Sequence, residues 1–186
     1  LGIKQADVSN YNKDNSDFAP AMQAQDAPLT MYSAARVLLV EAEAAVRGWI
    51  NADAKSLYEK AIATSFSAKG LTYTDDVLQN YLAQDGVKFH GTDNNKIQLI
   101  AKQRWINGYF EDGVEAWSDW RRLDYPIIVT GPYSKELGIN HVPYRMPYGS
   151  SDRSATPAQY EEADKIQGPD LPDTRVWWDV KDNREE

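Results

Sequence analysis

Apolar residues recur at steps of three and four through most of the first 120 positions, and then the pattern stops. The clearest run holds Ala35, Leu38, Leu39, Ala42, Val46 and Trp49 on one stripe, which predicts an amphipathic helix over Leu29–Gly48. Thr30 is its candidate N-cap and Gly48 its stop. A second helix, Asp53–Phe66, keeps Ala54, Leu57, Tyr58, Ala61, Ile62 and Phe66 on one face, with Asn51 or Asp53 as cap. Two such helices joined by a short turn pack antiparallel, and the small residues Ala34, Ala35, Ala42, Ala44 and Ala45 permit close approach.

Thr74 caps a shorter predicted helix, Asp75–Gln84, and Val87-Lys88-Phe89 is too short to read as a strand. The stretch Ile97–Leu123 then carries three of the six tryptophans. Ile97, Ile100, Ala101, Trp105 and Tyr109 share one helical face, with Asp93 as candidate cap. Gly108 and Gly113 interrupt it, and a short helix restarts over Glu115–Arg122. Trp105, Trp117 and Trp120 are expected to pack on the Ala35–Phe66 hairpin, with Arg121 or Arg122 satisfying nearby carboxylates. From Asp124 the periodicity is lost to Tyr125-Pro126, Gly131-Pro132, Val142-Pro143 and Met146-Pro147, and regular helix returns only at Pro157–Ile166. The fold class is therefore mainly α: a helical hairpin plus a loop-rich carboxy-terminal region. Residues 1–28 form an irregular lead-in, 29–180 a helical domain and 181–186 a polar tail.

Composition narrows the function classes. A net charge of −8, with Arg121-Arg122 the only basic doublet, argues against a nucleic-acid partner. The chain has no cysteine, so disulfides and thiolate chemistry are excluded. No apolar run has the length of a membrane span, and neither a signal peptide nor an initiator methionine is seen, so the chain reads as a fragment of a longer protein. His90 and His141 sit in no ligand-spaced motif, and there is no nucleophile elbow or phosphate loop. No cofactor is expected; the Asp and Asn content leaves calcium open, without EF-hand spacing.

Two carboxylate groups raise the question of acid–base chemistry. Glu41 and Glu43 are two apart and point to different sides of a helix, so a solvated face is the better reading. Glu111, Asp112, Glu115 and Asp119 lie beside tryptophans, an arrangement glycoside hydrolysis would use, but Arg121 and Arg122 are equally close and structural pairing is favoured. The protein is expected not to be an enzyme. Aromatic residues offer another chemistry, because rings with a polar handle stack on sugar faces. Tyr125, Tyr133, Tyr144 and Tyr148 lie in the loop region, and Trp177-Trp178 lies near the end, where it either docks the terminus or forms an exposed stacking platform. Tyr133, Tyr144 and Trp178 are the candidate ligand-binding residues.

Five segments in order carry a family resemblance: EAEAAVRGW at 41–49, LYEKAI at 57–62, the run from Ile100 to Arg122, RMPY at 145–148 and WWD at 177–179. Together they resemble the carboxy-terminal half of the SusD/RagB-type outer-membrane nutrient-binding lipoproteins of Bacteroidetes. The hairpin is similar to one tetratricopeptide-type repeat, with no second copy at a fixed period. Gly149 stands where the family often has proline, so that loop departs from the pattern. The resemblance implies a glycan-binding protein on the extracellular face of the cell outer membrane. It implies delivery of an oligosaccharide to a SusC-like TonB-dependent transporter, with membrane association only through an amino-terminal lipid anchor. Two alternatives remain: a helical protein–protein scaffold without a sugar ligand, or a glycoside hydrolase.

Overall fold

A computed structural model describes residues 20–128 and 142–179. It is helical, with no strand among the described residues: α1 (Pro20–Gln23), α2 (Ala34–Val46), α3 (Ala54–Ala68), α4 (Asp75–Leu82), α5 (Asp93–Asn107), α6 (Gly113–Leu123), α7 (Ser150–Ala155) and α8 (Pro157–Gln167). No helix among them is long and apolar enough to cross a membrane. The chain groups into two compact units, Ala24–Pro126 and Leu1–Gln23 with Ile127–Glu186.

In the unit Ala24–Pro126, α2 and α3 form the expected hairpin and α5 packs across it. The cap of α2 is Ser33, not Thr30: the Ser33 hydroxyl accepts from the Arg36 N–H at 3.2 Å. Gly48, in the left-handed region at φ 72°, turns the chain out of the helix. Trp49 therefore leaves the stripe predicted for it and lies exposed, with Arg47 stacked 5.3 Å from its ring. Asp53 caps α3 by accepting from the Lys55 and Ser56 N–H groups at 3.0 and 3.3 Å. The cap of α5 is Thr92, not Asp93; its hydroxyl accepts from the Asn95 N–H and the Asn95 side-chain oxygen accepts from the Thr92 N–H, a capping box.

Leu39, Ala42, Tyr58, Ala61, Ile62, Leu82, Val87 and Ile100 form the core. Ala35, Ala42, Ala61 and Ala101 are all buried, which lets α2, α3 and α5 approach at short interaxial distance. Each fully buried Leu or Ile contributes roughly 1.5–3 kcal/mol. Val87 belongs to a turn and sends its side chain inward, while its carbonyl accepts from the buried Tyr58 hydroxyl at 2.7 Å. That bond satisfies the phenol, and burial pushes its pKa up.

Of the three tryptophans expected to pack inside, Trp120 is buried, Trp117 is half-buried and Trp105 is exposed. On α5 the inner positions go to Ile100, Ala101, Arg104 and Asn107. Arg104 and Asn107 have partners on the α2 side, the buried Glu43 at 2.7 Å and the half-buried Ser33 at 2.8 Å, so the stripe tilts toward them and Trp105 turns outward. Gly108 ends α5, where a Cβ would come within 3.4 Å of the Arg104 carbonyl; the left-handed residue of the break is Phe110 (φ 64°).

In the other unit, α7 and α8 follow one another through Thr156, with Pro157 opening α8 where its missing N–H costs nothing. The stretch before Pro157 is thus more regular than its periodicity predicts, since Ser150–Ala155 is helical.

Candidate functional site

Two buried carboxylate clusters organise the polar side chains. The first lies on α2, α5 and α6. Glu43 is 4% exposed, which overturns the solvated reading; Glu41 is exposed. Glu43 Oε2 accepts from Arg104 Nη1 at 2.7 Å and from Arg122 Nη2 at 2.8 Å, and Glu43 Oε1 accepts from Arg47 Nε at 2.8 Å. Asp119 bridges Arg36, Arg104 and Arg122 at 2.9, 3.1 and 3.1 Å. Arg36, itself buried, also meets Asp112 at 3.1 Å and Glu115 at 3.0 Å. Burial alone would raise the Glu43 pKa, but the Arg122, Arg47 and Arg104 guanidinium groups outweigh it and bring the carboxyl down to about 2. Burial pushes Arg104 down; the Glu43 and Asp119 partners push Arg122 up.

Asp112, Glu115 and Asp119, weighed for hydrolysis, are thus arginine partners, and Glu111 pairs with Lys69 at 2.6 Å. Of Arg121 or Arg122, expected beside the carboxylates, Arg122 is here; Arg36 and Arg104 were missed. The available signal was the i, i+7 spacing of Arg36 and Glu43, which sets a cation and an anion on one face beside Leu39 and Ala42.

The second cluster centres on Asp170. Its carboxylate accepts from Arg145 Nη2 at 3.0 Å, Arg153 Nη2 at 3.0 Å, the Tyr148 N–H at 3.0 Å and the Tyr160 hydroxyl at 3.2 Å. Burial pushes the Asp170 pKa up; the Tyr148 N–H, Arg153, Tyr160 and Arg145 outweigh it and hold the carboxyl below its ordinary value. The Tyr148 and Tyr160 rings meet edge to face at 5.9 Å, with the Arg145 and Arg153 guanidinium groups 4.6 and 5.0 Å from the respective ring centroids. Beside them opens a cavity of about 160 Å3 lined by Tyr148, Asp152, Thr156, Gln159, Tyr160 and Ala163. Thr156, Gln159, Tyr160 and Ala163 are spaced three, four and seven apart, one face of α8.

Tyr133 lies outside the described residues, as does His141. Tyr144 is half-buried; its N–H donates to the Pro172 carbonyl at 2.9 Å and its ring carries the Arg175 guanidinium at 4.2 Å. Trp178 is 41% exposed and Trp177 80%. The terminal tryptophan pair therefore does not bury itself; the anchor is Asp179, which is buried and bonds Arg175 at 2.9 Å, while Gln167 of α8 donates to the Arg175 carbonyl at 2.9 Å. Tyr160, Gln159 and Asp152 were missed in the sequence because nothing in their spacing marks a site before α8 is set against Tyr148. Among the described residues, no group of three or more His, Asp or Glu is arranged to hold a metal ion.

Over residues 1–149 the chain matches the model of a SusD-like family described as starch-binding and associating with the outer membrane. The chain belongs to this SusD-like family. Several solved structures agree with the membership. A Bacteroidetes SusD-like protein superimposes with a TM-score of 0.76 at 29% identity, over 88% of this chain and 33% of its own. A chitin-binding protein gives 0.72 at 26% identity, over 88% and 36%. A SusD homologue from Bacteroides uniformis gives 0.69 at 27% identity, over 80% and 36%. The SusD-like chain thus spans about a third of the length of these structures. No curated protein matches it.

Proposed function

We propose that this SusD-like chain is part of a non-catalytic glycan-binding protein on the extracellular face of the cell outer membrane, which passes oligosaccharide to a SusC-like TonB-dependent transporter. The single observation that carries the reading is the match over residues 1–149 to a family described as starch-binding and outer-membrane associating. The chitin-binding relative extends the ligand class from α-glucans to other neutral glycans. The aromatic surface of the carboxy-terminal unit supports it further. Trp177 is largely exposed and Trp178 partly so, and exposed indoles suit stacking on sugar C–H patches. Tyr144 contributes a ring whose position Arg175 holds. Tyr144 and Trp178 are the proposed ligand contacts among the described residues, with Tyr133 outside them.

Isothermal titration calorimetry with maltohexaose and chitohexaose is the test, followed in parallel by tryptophan fluorescence. Saturable heat and a fluorescence change are expected, and both weaken in Trp178→Ala. A broad panel of neutral oligosaccharides without heat or fluorescence change would remove the sugar claim; binding of peptides instead would keep the family and change the ligand.

The scaffold reading stands second. It is favoured by large apolar side chains exposed on the Ala24–Pro126 unit, Trp49, Trp105, Tyr109 and Phe110 among them. Co-purification of the transporter without any effect of added sugar would favour it.

A further inference from the structure

Asn107-Gly108 is the only Asn-Gly pair in the chain. Such a pair is reactive by its own chemistry, because glycine puts no side chain between its backbone nitrogen and the Cγ of the preceding asparagine. The fold requires glycine here for another reason. A Cβ at 108 would stand 3.3 Å from the Asp112 Cβ and 3.4 Å from the Arg104 carbonyl oxygen. The residue that lets α5 end beside Asp112 is thus also the one that leaves Asn107 open to attack.

The reaction needs only water. The Gly108 nitrogen attacks the Asn107 Cγ and forms a C–N bond, the Cγ–Nδ2 bond breaks, and ammonia leaves with the Gly108 proton. The five-membered imide then takes up one water at either of its carbonyls and opens to aspartate or to isoaspartate. Both products lack the Nδ2 donor, and isoaspartate also carries the main chain through its Cβ.

Three features of the folded chain hold the reactants apart. Asn107 closes α5, and the Gly108 N–H donates to the Arg104 carbonyl at 3.0 Å, so this nitrogen must leave the helix before it can reach the side chain. Asn107 is 7% exposed, which keeps its amide away from bulk water. Its Nδ2 donates to the Ser33 hydroxyl at 2.8 Å, and the same oxygen accepts from the Arg36 N–H to cap α2. The first two features protect any buried asparagine at a helix end. The third is a tether between residues 74 positions apart, and it ties the reacting amide itself to a second helix.

We propose that Asn107 is a site of spontaneous deamidation, and that Ser33 of α2 is the positioning residue that keeps it shut. When the end of α5 lets go of Ser33, the modification makes the loss of that tether permanent, since neither product carries the amide donor. Nothing in this chemistry depends on a bound glycan.

Peptide mass spectrometry on the full chain tests this, because the tryptic peptide 105–121 contains Asn107 as its only side-chain amide. The chain is held in warm, mildly alkaline buffer, folded or unfolded in urea, and conversion of that amide to the acid is followed with time. Conversion is expected in urea, and roughly tenfold or more slower in the folded chain. Ser33→Gly removes the hydroxyl but leaves a residue that caps a helix nearly as well, so the folded-state rate rises roughly three- to tenfold while the rate in urea does not move. Ser33→Thr restores the hydroxyl and the slow rate. Asp53→Gly loosens the cap of α3, which makes no bond to Asn107, and leaves the folded-state rate as it is. Gly108→Ala, compared in urea where folding plays no part, nearly abolishes conversion. Circular dichroism checks the other variants for folding, and Ser33→Ala replaces Ser33→Gly if the latter does not fold. No conversion in urea, or conversion there unaffected by Gly108→Ala, overturns the site. A folded chain that converts as fast as the unfolded one overturns the protection. Ser33→Gly at the wild-type rate, or Asp53→Gly as fast as Ser33→Gly, overturns the part given to Ser33.

Discussion

Glu43 and Asp170 are both buried carboxylates that serve several arginines, yet they build different things. Glu43 sits among Arg47, Arg104 and Arg122, and Asp119 links the last two to Arg36. The carboxylates and guanidinium groups there are bonded to each other, and the cluster joins three helices over the aliphatic core. Asp170 instead takes two arginines, one backbone N–H and one phenol. Two of those four bonds fix tyrosines that line a cavity. The chemistry of the carboxylate is the same in both. What differs is whether its donors are all guanidinium groups or include aromatic residues with a surface left over. A closed ion network makes scaffold, and one with aromatic donors at its edge makes a platform.

Breaking the Glu43 cluster should have the largest effect. Glu43→Gln removes one of the two anions that Arg104 and Arg122 share, leaving them Asp119, and removing one partner of a buried pair costs about 3–5 kcal/mol. Urea denaturation should show an unfolding free energy lower by that amount, read as a lower midpoint at unchanged slope. An unchanged midpoint would show that the cluster is solvated and that the contrast with Asp170 is mistaken. Acid titration comes next. The Glu43 carboxyl is depressed from 4.5 to about 2 in the folded protein, so its contribution is fully present above pH 4.5 and is lost as pH falls through 4.5 toward 2. At about 1.4 kcal/mol per pKa unit this amounts to about 3 kcal/mol. The acid limb of the stability curve should be shallower in Glu43→Gln by that amount. The smallest effect belongs to the exposed aromatic surface. Trp177→Ala should change stability by no more than about 0.5 kcal/mol, because the ring is 80% exposed. A large loss in thermal melts would mean that the terminal pair is structural after all.

Much of the Ala24–Pro126 unit was legible in the chain. Repeats of three and four marked α2, α3 and α5, and Gly48 and Asp53 marked the turn between the first two, because helix termini leave backbone groups that only a few residue types satisfy. Cap positions slipped where several polar residues stood in line: Ser33 and Thr92 cap where Thr30 and Asp93 were expected. The inner face of α5 was misread for a different reason. Periodicity ranks Trp105 as core and Arg104 as surface, and it cannot know that Glu43 and Asp119 wait on the other helices.

By itself the sequence determined the helical class, the hairpin and the family, since all three rest on local spacing and on short ordered motifs. The tertiary structure alone decided which charged groups are interior, that Asp179 and not the tryptophan pair anchors the Trp177–Asp179 turn, and that Tyr148, Tyr160 and Asp170 meet. These depend on pairings across 4 to 83 residues, such as Arg175 with Asp179 and Arg36 with Asp119. The free energy of a buried charge is set by the partner it finds in space, and the longest of these pairings leave no trace in the residues on either side.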